Sequence, residues 1–422
     1  MALTDMGIVV RSLRVRLFST ATTVALVGVS VALMLTILSM REAGRRAFER
    51  GTGNMHILVS ADASPLVSVL NSVFYARAPQ RALEWTRFEQ IASDPRVDWA
   101  IPVQQGDSFR GFPTMATTPE FFTKFKPDAD TEWKLAAGAF FGGHFDVVMG
   151  ATAARETGVQ VGEKIVIAHG MGEGAHGHDE HAMTVAGVLE PTGSAHDRAV
   201  FISVMSTWLI HAEENRLAES ADAAEPTPEN LLPAEKQITG AYIAVKGRAG
   251  SSAPPMVPVV FNDLRKDPSI TVALPGQEIG KLFTIVSNID QVFVALAAAV
   301  LVCSGFAVML ALYNSMDQRR RQIAVLRVLG ASRARVFGLI LSESAVIGLA
   351  GAAAGVLICL VGVQMTASVM KARLGLVIDA AIDPRMAIVV AGGTLLLACV
   401  AGLVPAVMGY RTSVARSLRP FA

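Results

Sequence analysis

The sequence predicts an α-helical membrane protein with four transmembrane helices and a large α+β domain between helices 1 and 2. Three observations carry that prediction. Hydrophobic residues make up 52% of the 422-residue chain, charged residues 17%, and the mean hydropathy is +0.44; a soluble domain carries about a quarter charged residues. The apolar excess is gathered into four runs, each meeting the roughly 20 residues that a helix needs to cross a hydrocarbon core. Between the first two runs, short Val- and Ile-rich segments alternate with amphipathic ones, which is the pattern of a mixed domain.

Residues 1–16 form a basic arm, with Arg11, Arg14 and Arg16 against Asp5. The first span is read over 17–40. It is expected to be a retained span and not a cleaved signal, because its apolar stretch exceeds the roughly 7–15 residues of a signal core and no A-x-A site follows. The outer domain is read over 41–285. GNMHILVS reads as a strand, RALEWTRFEQIASDPRV as an amphipathic helix stopped by Pro95, and WAIPVQ as the next strand. FDVVMGATAARETGVQVGEKIVIA reads as strand, short helix, turn and strand, and MTVAGVLE, AVFISV and TGAYIAVKG as further strands. The acidic, Ala- and Pro-rich segment 212–238 reads as a helix followed by an exposed linker. GSSAPPMVPVVFNDLRKDP reads as a Pro-rich loop leading into a returning helix. The second span is placed at 291–314, a basic link at 315–335, the third span at 336–366, a short outer loop at 367–385, the fourth span at 386–410 and a tail at 411–422.

The net charge of +1 conceals strong segregation. Arg319, Arg320, Arg321, Arg327, Arg333 and Arg335 stand against Asp317 between spans two and three, and the tail adds Arg411, Arg416 and Arg419. The positive-inside rule then puts both termini and this link in the cytoplasm and the large domain outside, despite the four arginines of REAGRRAFER. Cys303, Cys359 and Cys399 all fall in spans, so the outer domain has no disulfide framework.

The most specific segment is RRRQIAVLRVLGASRARVFGLILSES, followed by GLAGAAAGVLICL. It resembles the R-x-x-[EQ]-I-[GA]-x-[LM]-[RK]-A-[LI]-G-A-[ST] signature of the MacB/FtsX-type (type VII, mechanotransmission) permeases of bacterial ABC transporters, with Gln322 and Val328 at positions where that family often has Glu and Ala. The likeness extends over essentially the whole chain, through the arm and first span and through the pair VGEKIVIA and MTVAGVLEPTG. It implies a MacB-like outer domain in the periplasm, residence in the bacterial cytoplasmic membrane, a homodimer, and two copies of an ABC ATPase subunit supplied by another chain. It also implies that the link between spans two and three couples to that ATPase and that its work is transmitted to the periplasm. The coupling residues expected are Arg319, Arg320, Arg321, Ile323, Leu326, Arg327, Leu329 and Gly330. The residues themselves agree: no G-x-x-x-x-G-K-[ST] is present, GVQVGEK and GQEIGKL having the wrong spacing, so no P-loop belongs to this chain. Ile323, Val325, Leu326, Val328 and Leu329 add an apolar stripe at helical spacing, and Gly330 to Ser332 suit a break before the next helix.

Gly348, Gly351 and Gly355 lie three and four residues apart in span three, spacing that lets helices pack closely in lipid. Glu343, near the cytoplasmic start of that span, is expected to snorkel or to pair with an arginine. In the outer domain, HGMGEGAHGHDEH places His169, His176, His178 and His181 with Glu173, Asp179 and Glu180 in a hairpin loop. Imidazoles at this spacing suit Zn(II), Cu(II) or Ni(II), and a flexible loop suits an exchangeable ion over a structural one. Some related permeases with His-rich loops resemble parts of zinc acquisition systems, which favours zinc. His196, Asp197 and His211 are weaker candidates, each of a kind more often found at a strand end or surface.

No nucleophile elbow, metal-hydrolase motif or Ser/His/Asp order is present, which argues against an enzyme. Basic clusters without interleaved aromatics argue against nucleic acid. The expected function is an ABC permease subunit, its cargo linked to zinc or another metal, or a lipoprotein, a lipid or a drug. The alternative is a scaffold regulating a periplasmic enzyme. Periplasmic partners of the metal-binding or outer-membrane kind are implied accordingly.

Overall fold

The computed structural model describes residues 5–128, 131–170, 181–220, 224–247, 254–374 and 382–411. They belong to two compact units. One comprises Met1–Ala43, Val286–Val369 and Ala380–Ala422, and the other Gly44–Ile285 and Met370–Asp379.

In chain order, α1 (Asp5–Val15) and α2 (Leu17–Thr52) lead into β1 (Ile57–Ser60) and α3 (Pro65–Ser72). Pro65 occupies the first turn of α3, where its missing N–H costs nothing, and the Ser64 Oγ accepts from the Val67 N–H at 3.4 Å. Next come β2 (Leu83–Glu84), α4 (Trp85–Ala92), β3 (Val97–Gln104), β4 (Asp107–Phe109), β5 (Phe112–Thr117), α5 (Glu120–Lys124), β6 (Leu135–Gly138) and β7 (Asp146–Met149). α6 (Ala151–Thr157) ends at Gly158, whose left-handed φ of 73° favours glycine. β8 (Lys164–Ile165), β9 (Ala168–His169), β10 (Met183–Leu189) and β11 (Val200–Ser203) precede α7 (Val204–Glu219). Then follow β12 (Gln237–Ile238), β13 (Gly240–Val245), α8 (Val257–Leu264), β14 (Thr271–Ala273), α9 (Pro275–Val328), α10 (Arg333–Leu374) and α11 (Pro384–Arg411).

The larger unit is built on a mixed sheet ordered β14-β1-β13-β3-β5-β11-β7-β10-β6, with β4, β8 and β9 paired beside this path. The β5–β11 and β7–β10 pairs are parallel and their neighbours antiparallel. Both faces are covered. Ile57, Val59, Val147, Met149, Val200 and Ile202 pack to one side with Trp208 and Leu209 of α7. Leu58, Val148, Phe201 and Tyr242 pack to the other with Phe121, Phe125 and Trp133. Two-sided burial is why β1, β7 and β11 each carry three consecutive apolar residues, while β10, buried at alternate residues, keeps the period of two.

His196, of a kind expected at a strand end or a surface, lies in the turn just before β11 and away from the surface. It is fully buried among Phe121, Phe125 and Trp133, with the Tyr75 hydroxyl 2.7 Å from its Nδ1 and the Gly51 carbonyl 3.2 Å from its Nε2. The 212–238 segment is also held in place where described. Arg216 pairs with Glu235 at 2.7 Å and donates to the Asn230 carbonyl at 3.0 Å.

Among the described residues, four helices are long and apolar enough to cross a membrane, over Leu17–Thr52, Asp290–Met316, Arg333–Thr366 and Pro384–Arg411. Val27, Val31 and Leu35 of α2 meet Val308 and Leu312 of α9, Ile347 and Cys359 of α10, and Val390 and Ala401 of α11. The basic segment after span two was read as a coupling element carrying a helix that breaks at Gly330 to Ser332. That helix is continuous with span two: α9 runs unbroken to Val328, because residues 315–328 contain neither Gly nor Pro to stop it.

Candidate functional site

Two constellations stand out, one in each unit. The first is the elbow between α9 and α10. α9 ends where Gly330 takes a left-handed φ of +96°, and α10 restarts with the Ser332 Oγ accepting from the Arg335 N–H at 3.1 Å. Inside the elbow, Arg319 and Glu343 form a two-point ion pair, one contact at 2.6 Å, with side chains 12% and 5% exposed. From α1, Ser12 Oγ donates to Glu343 at 3.1 Å and Asp5 pairs with Arg335 at 2.6 Å, and from the turn after it Arg16 donates to the Ser315 carbonyl at 3.2 Å. Ile323 is buried with Met316, Val336, Ile340 and Ala406.

The residues expected to couple therefore divide by direction. Arg319 and Ile323 point inward and hold the elbow together. Arg320 is exposed, Leu326 and Arg327 are half-buried, and the side chain of Arg321 lies outside the described residues. Val325 and Val328, on one face at the end of α9, and Leu329 in the turn that follows, are 46%, 64% and 79% exposed.

The second constellation joins β4, β9 and α7. Asp107 and His169 are directly paired across the antiparallel β4–β9 ladder. His169 Nδ1 lies 2.7 Å from Asp107 Oδ1, and its Nε2 lies 3.0 Å from Glu214 Oε2 on α7. His211, three residues before Glu214, brings its Nε2 to 3.6 Å from Asp107 Oδ2 and its ring to 4.9 Å from that of His169. Burial pushes the Asp107 carboxyl up, but hydrogen bonds from His169 and His211 outweigh it and hold the group well below the usual carboxylate range. The same bond to Asp107, with help from Glu214 and against burial, raises His169 to about 9. Each partner thus stabilises the charged form of the other.

Of the four histidines expected to bind metal, His169 belongs to this group, while His181 pairs with Glu213 at 2.7 Å and stacks on Phe145. His176 and His178 lie outside the described residues. Asp107 and Glu214 were missed because neither is near His169 in sequence.

Comparison with known proteins agrees with this architecture. The model of the MacB-like periplasmic core domain matches residues 20–256, and that of the FtsX-like permease C-terminal matches residues 294–414. The chain belongs to the MacB/FtsX-type permease family. Among solved structures, this permease is similar to the periplasmic region of MacB from Actinobacillus actinomycetemcomitans, with 10% identity and a TM-score of 0.32, covering 55% of this chain and 94% of that one. It is also similar to the extracellular domain of the ABC-type transporter YknZ from Gram-positive bacteria, with 8% identity and a TM-score of 0.28, covering 52% and 98%. No curated protein matches.

The permease also shows what its span-three glycines meet. A Cβ on Gly348 would lie 2.6 Å from Ala398 of α11, and one on Gly355 would lie 2.5 Å from Val31 and 2.8 Å from the Gly28 carbonyl of α2. A Cβ on Gly351 would collide with Val27. These are contacts within one chain, and Gly28 is the partner that the α10 spacing alone did not show.

Proposed function

We propose that this permease is driven by an ATPase carried on a separate chain, which docks on the α9–α10 elbow, and that the resulting movement is passed to the periplasmic domain. One observation carries the proposal: the apolar residues Val325, Val328 and Leu329 are exposed beyond the end of the second candidate span. Val328 lies 12 residues past Met316 (328 − 316), or about 18 Å along a helix, so lipid is a poor explanation for it. Several arginines intervene, which favours a cytoplasmic position for this end and for both termini. The chain has no P-loop, so a nucleotide-driven machine needs a second subunit.

Within the elbow, Arg319, Glu343 and Ile323 would keep α9 and α10 moving as one piece, and the exposed apolar residues would fill a recess on the ATPase. The complex expected contains two permeases and two ATPases. The permease purified in mild detergent from its native membranes should carry a P-loop ATPase subunit and hydrolyse ATP. Leu329→Asp should lower the retained hydrolysis by at least about 10-fold, as loss of an interface anchor does. Full hydrolysis by the Leu329→Asp and Val328→Asp chains, or no ATPase subunit with the unaltered one, would refute the proposal.

A further inference from the structure

We propose that Asp107, His169 and His211 are the ligands of a divalent transition-metal ion of the zinc type, with Glu214 holding His169 from behind. One ligand atom from each of the three lies within 4.8 Å of the others. Around a tetrahedral ion with bonds of roughly 2.0–2.2 Å, neighbouring ligand atoms stand about 3.4 Å apart. The 3.6 Å between His211 Nε2 and Asp107 Oδ2 is close to that spacing. The 2.7 Å between His169 Nδ1 and Asp107 Oδ1 is a hydrogen bond, and the ion would replace its proton and open that gap slightly.

His169 is oriented for this. Its Nδ1 faces Asp107 and its Nε2 faces the Glu214 carboxylate at 3.0 Å. With Nδ1 on the ion, the Nε2–H donates to Glu214, an arrangement that fixes the ring of a ligating histidine and strengthens it as a donor. The supports are rigid. Ser108 Oγ donates to the Gly170 carbonyl, and the Gly170 N–H donates to Gly106 at 3.0 Å, clamping the strand ends. α7 is capped by Ser203 and tied down by the Trp208 indole donating to the Gln237 carbonyl at 2.7 Å.

The ligand chemistry selects the ion. Two imidazoles and one carboxylate suit zinc, nickel or copper, whereas calcium and magnesium require oxygen sets. Asp107 is only 5% exposed, and both of its carboxylate oxygens face imidazole nitrogens, Oδ1 that of His169 and Oδ2 that of His211. Three protein ligands leave a fourth position for water or an incoming ligand, which suits an exchangeable site.

The site is independent of ATPase docking and is tested on the full chain in detergent. Zn(II) is titrated by calorimetry, and Co(II) is substituted to record its visible spectrum. The unaltered chain should bind one ion here and give the spectrum of a low-symmetry nitrogen and oxygen site. His169→Ala, Asp107→Asn and His211→Gln should each weaken binding by more than about 100-fold, beyond the roughly 10–100-fold that loss of an outer partner costs, and Glu214→Gln should fall within that smaller range. His211→Gln guards against misfolding of the buried Asp107 variant, since His211 is 29% exposed on a helix; circular dichroism checks both. A chain with His176→Ala and His178→Ala should keep the Co(II) spectrum. No binding by the unaltered chain, or unchanged binding in folded Asp107→Asn and His211→Gln, overturns the assignment. So does loss of the spectrum in the His176/His178 chain alone.

Discussion

Glu343 and Arg319 are nearly buried and form a two-point ion pair with each other. Removing one strands its partner, so Glu343→Gln should cost about 3–5 kcal/mol. The matching Glu343→Met, Arg319→Met chain should recover most of the loss, because it leaves no lone charge. Thermal melts of the detergent-solubilised singles and double check this, and equal loss in all of them would contradict it. His196 acts in the opposite sense. Burial lowers it to about 4, against an ordinary 6.5, while Gly51 partly offsets the shift. Above that ordinary value neither folded nor unfolded chain binds the proton. Below it only the unfolded chain does, so stability should fall between about pH 6.5 and 4, by up to about 3 kcal/mol. The drop in Tm between about pH 7 and 5 should be smaller in His196→Gln, and an unchanged drop would remove His196 as its cause. At this scale the sequence was partly legible. Glu343 beside a run of arginines announces its own pairing, whereas Asp107 gives no sign, since its partners stand 62 and 104 residues away (169 − 107 and 211 − 107).

The elements show the same division. Helices capped by Ser203 and Ser332, and β10 with its alternation, follow from local pattern. β4 and β9 do not: they are three and two residues long, carry Asp107, Ser108 and His169, and exist because they pair with each other and β4 also pairs with β5. The glycine spacing in α10 signalled close packing but not its partner, since Gly28 of α2 lies more than 300 positions away. Gly355 illustrates the consequence. A methyl there meets both Val31 and the Gly28 backbone, whereas one on Gly393 of α11 meets nothing within 4 Å. Gly355→Ala should destabilise the helix packing by about 1–3 kcal/mol, the usual cost of overpacking, and Gly393→Ala should be near neutral. Equal melting of the two variants would count against the α2–α10 contact.

For the whole molecule, membership of the MacB/FtsX-type permeases accounts for the order of one candidate span, a mixed α+β domain and three more spans. Spans and domain were readable from hydropathy and charge because both are properties of long segments. The work that the permease does is not, because under the proposal above it depends on a second chain. The exposed face at the end of α9 is where the two would meet, and Leu329, 79% exposed, is its most accessible apolar residue. The most direct measurement is therefore a photo-crosslinking residue at position 329 in the full-length chain, activated in intact membranes, with the adduct identified by mass spectrometry. The account predicts one dominant adduct, to a P-loop subunit that also binds a nucleotide analogue, and its loss when Val328→Asp is added. Adducts to lipid, or to another copy of the permease, with no P-loop protein among them would contradict it.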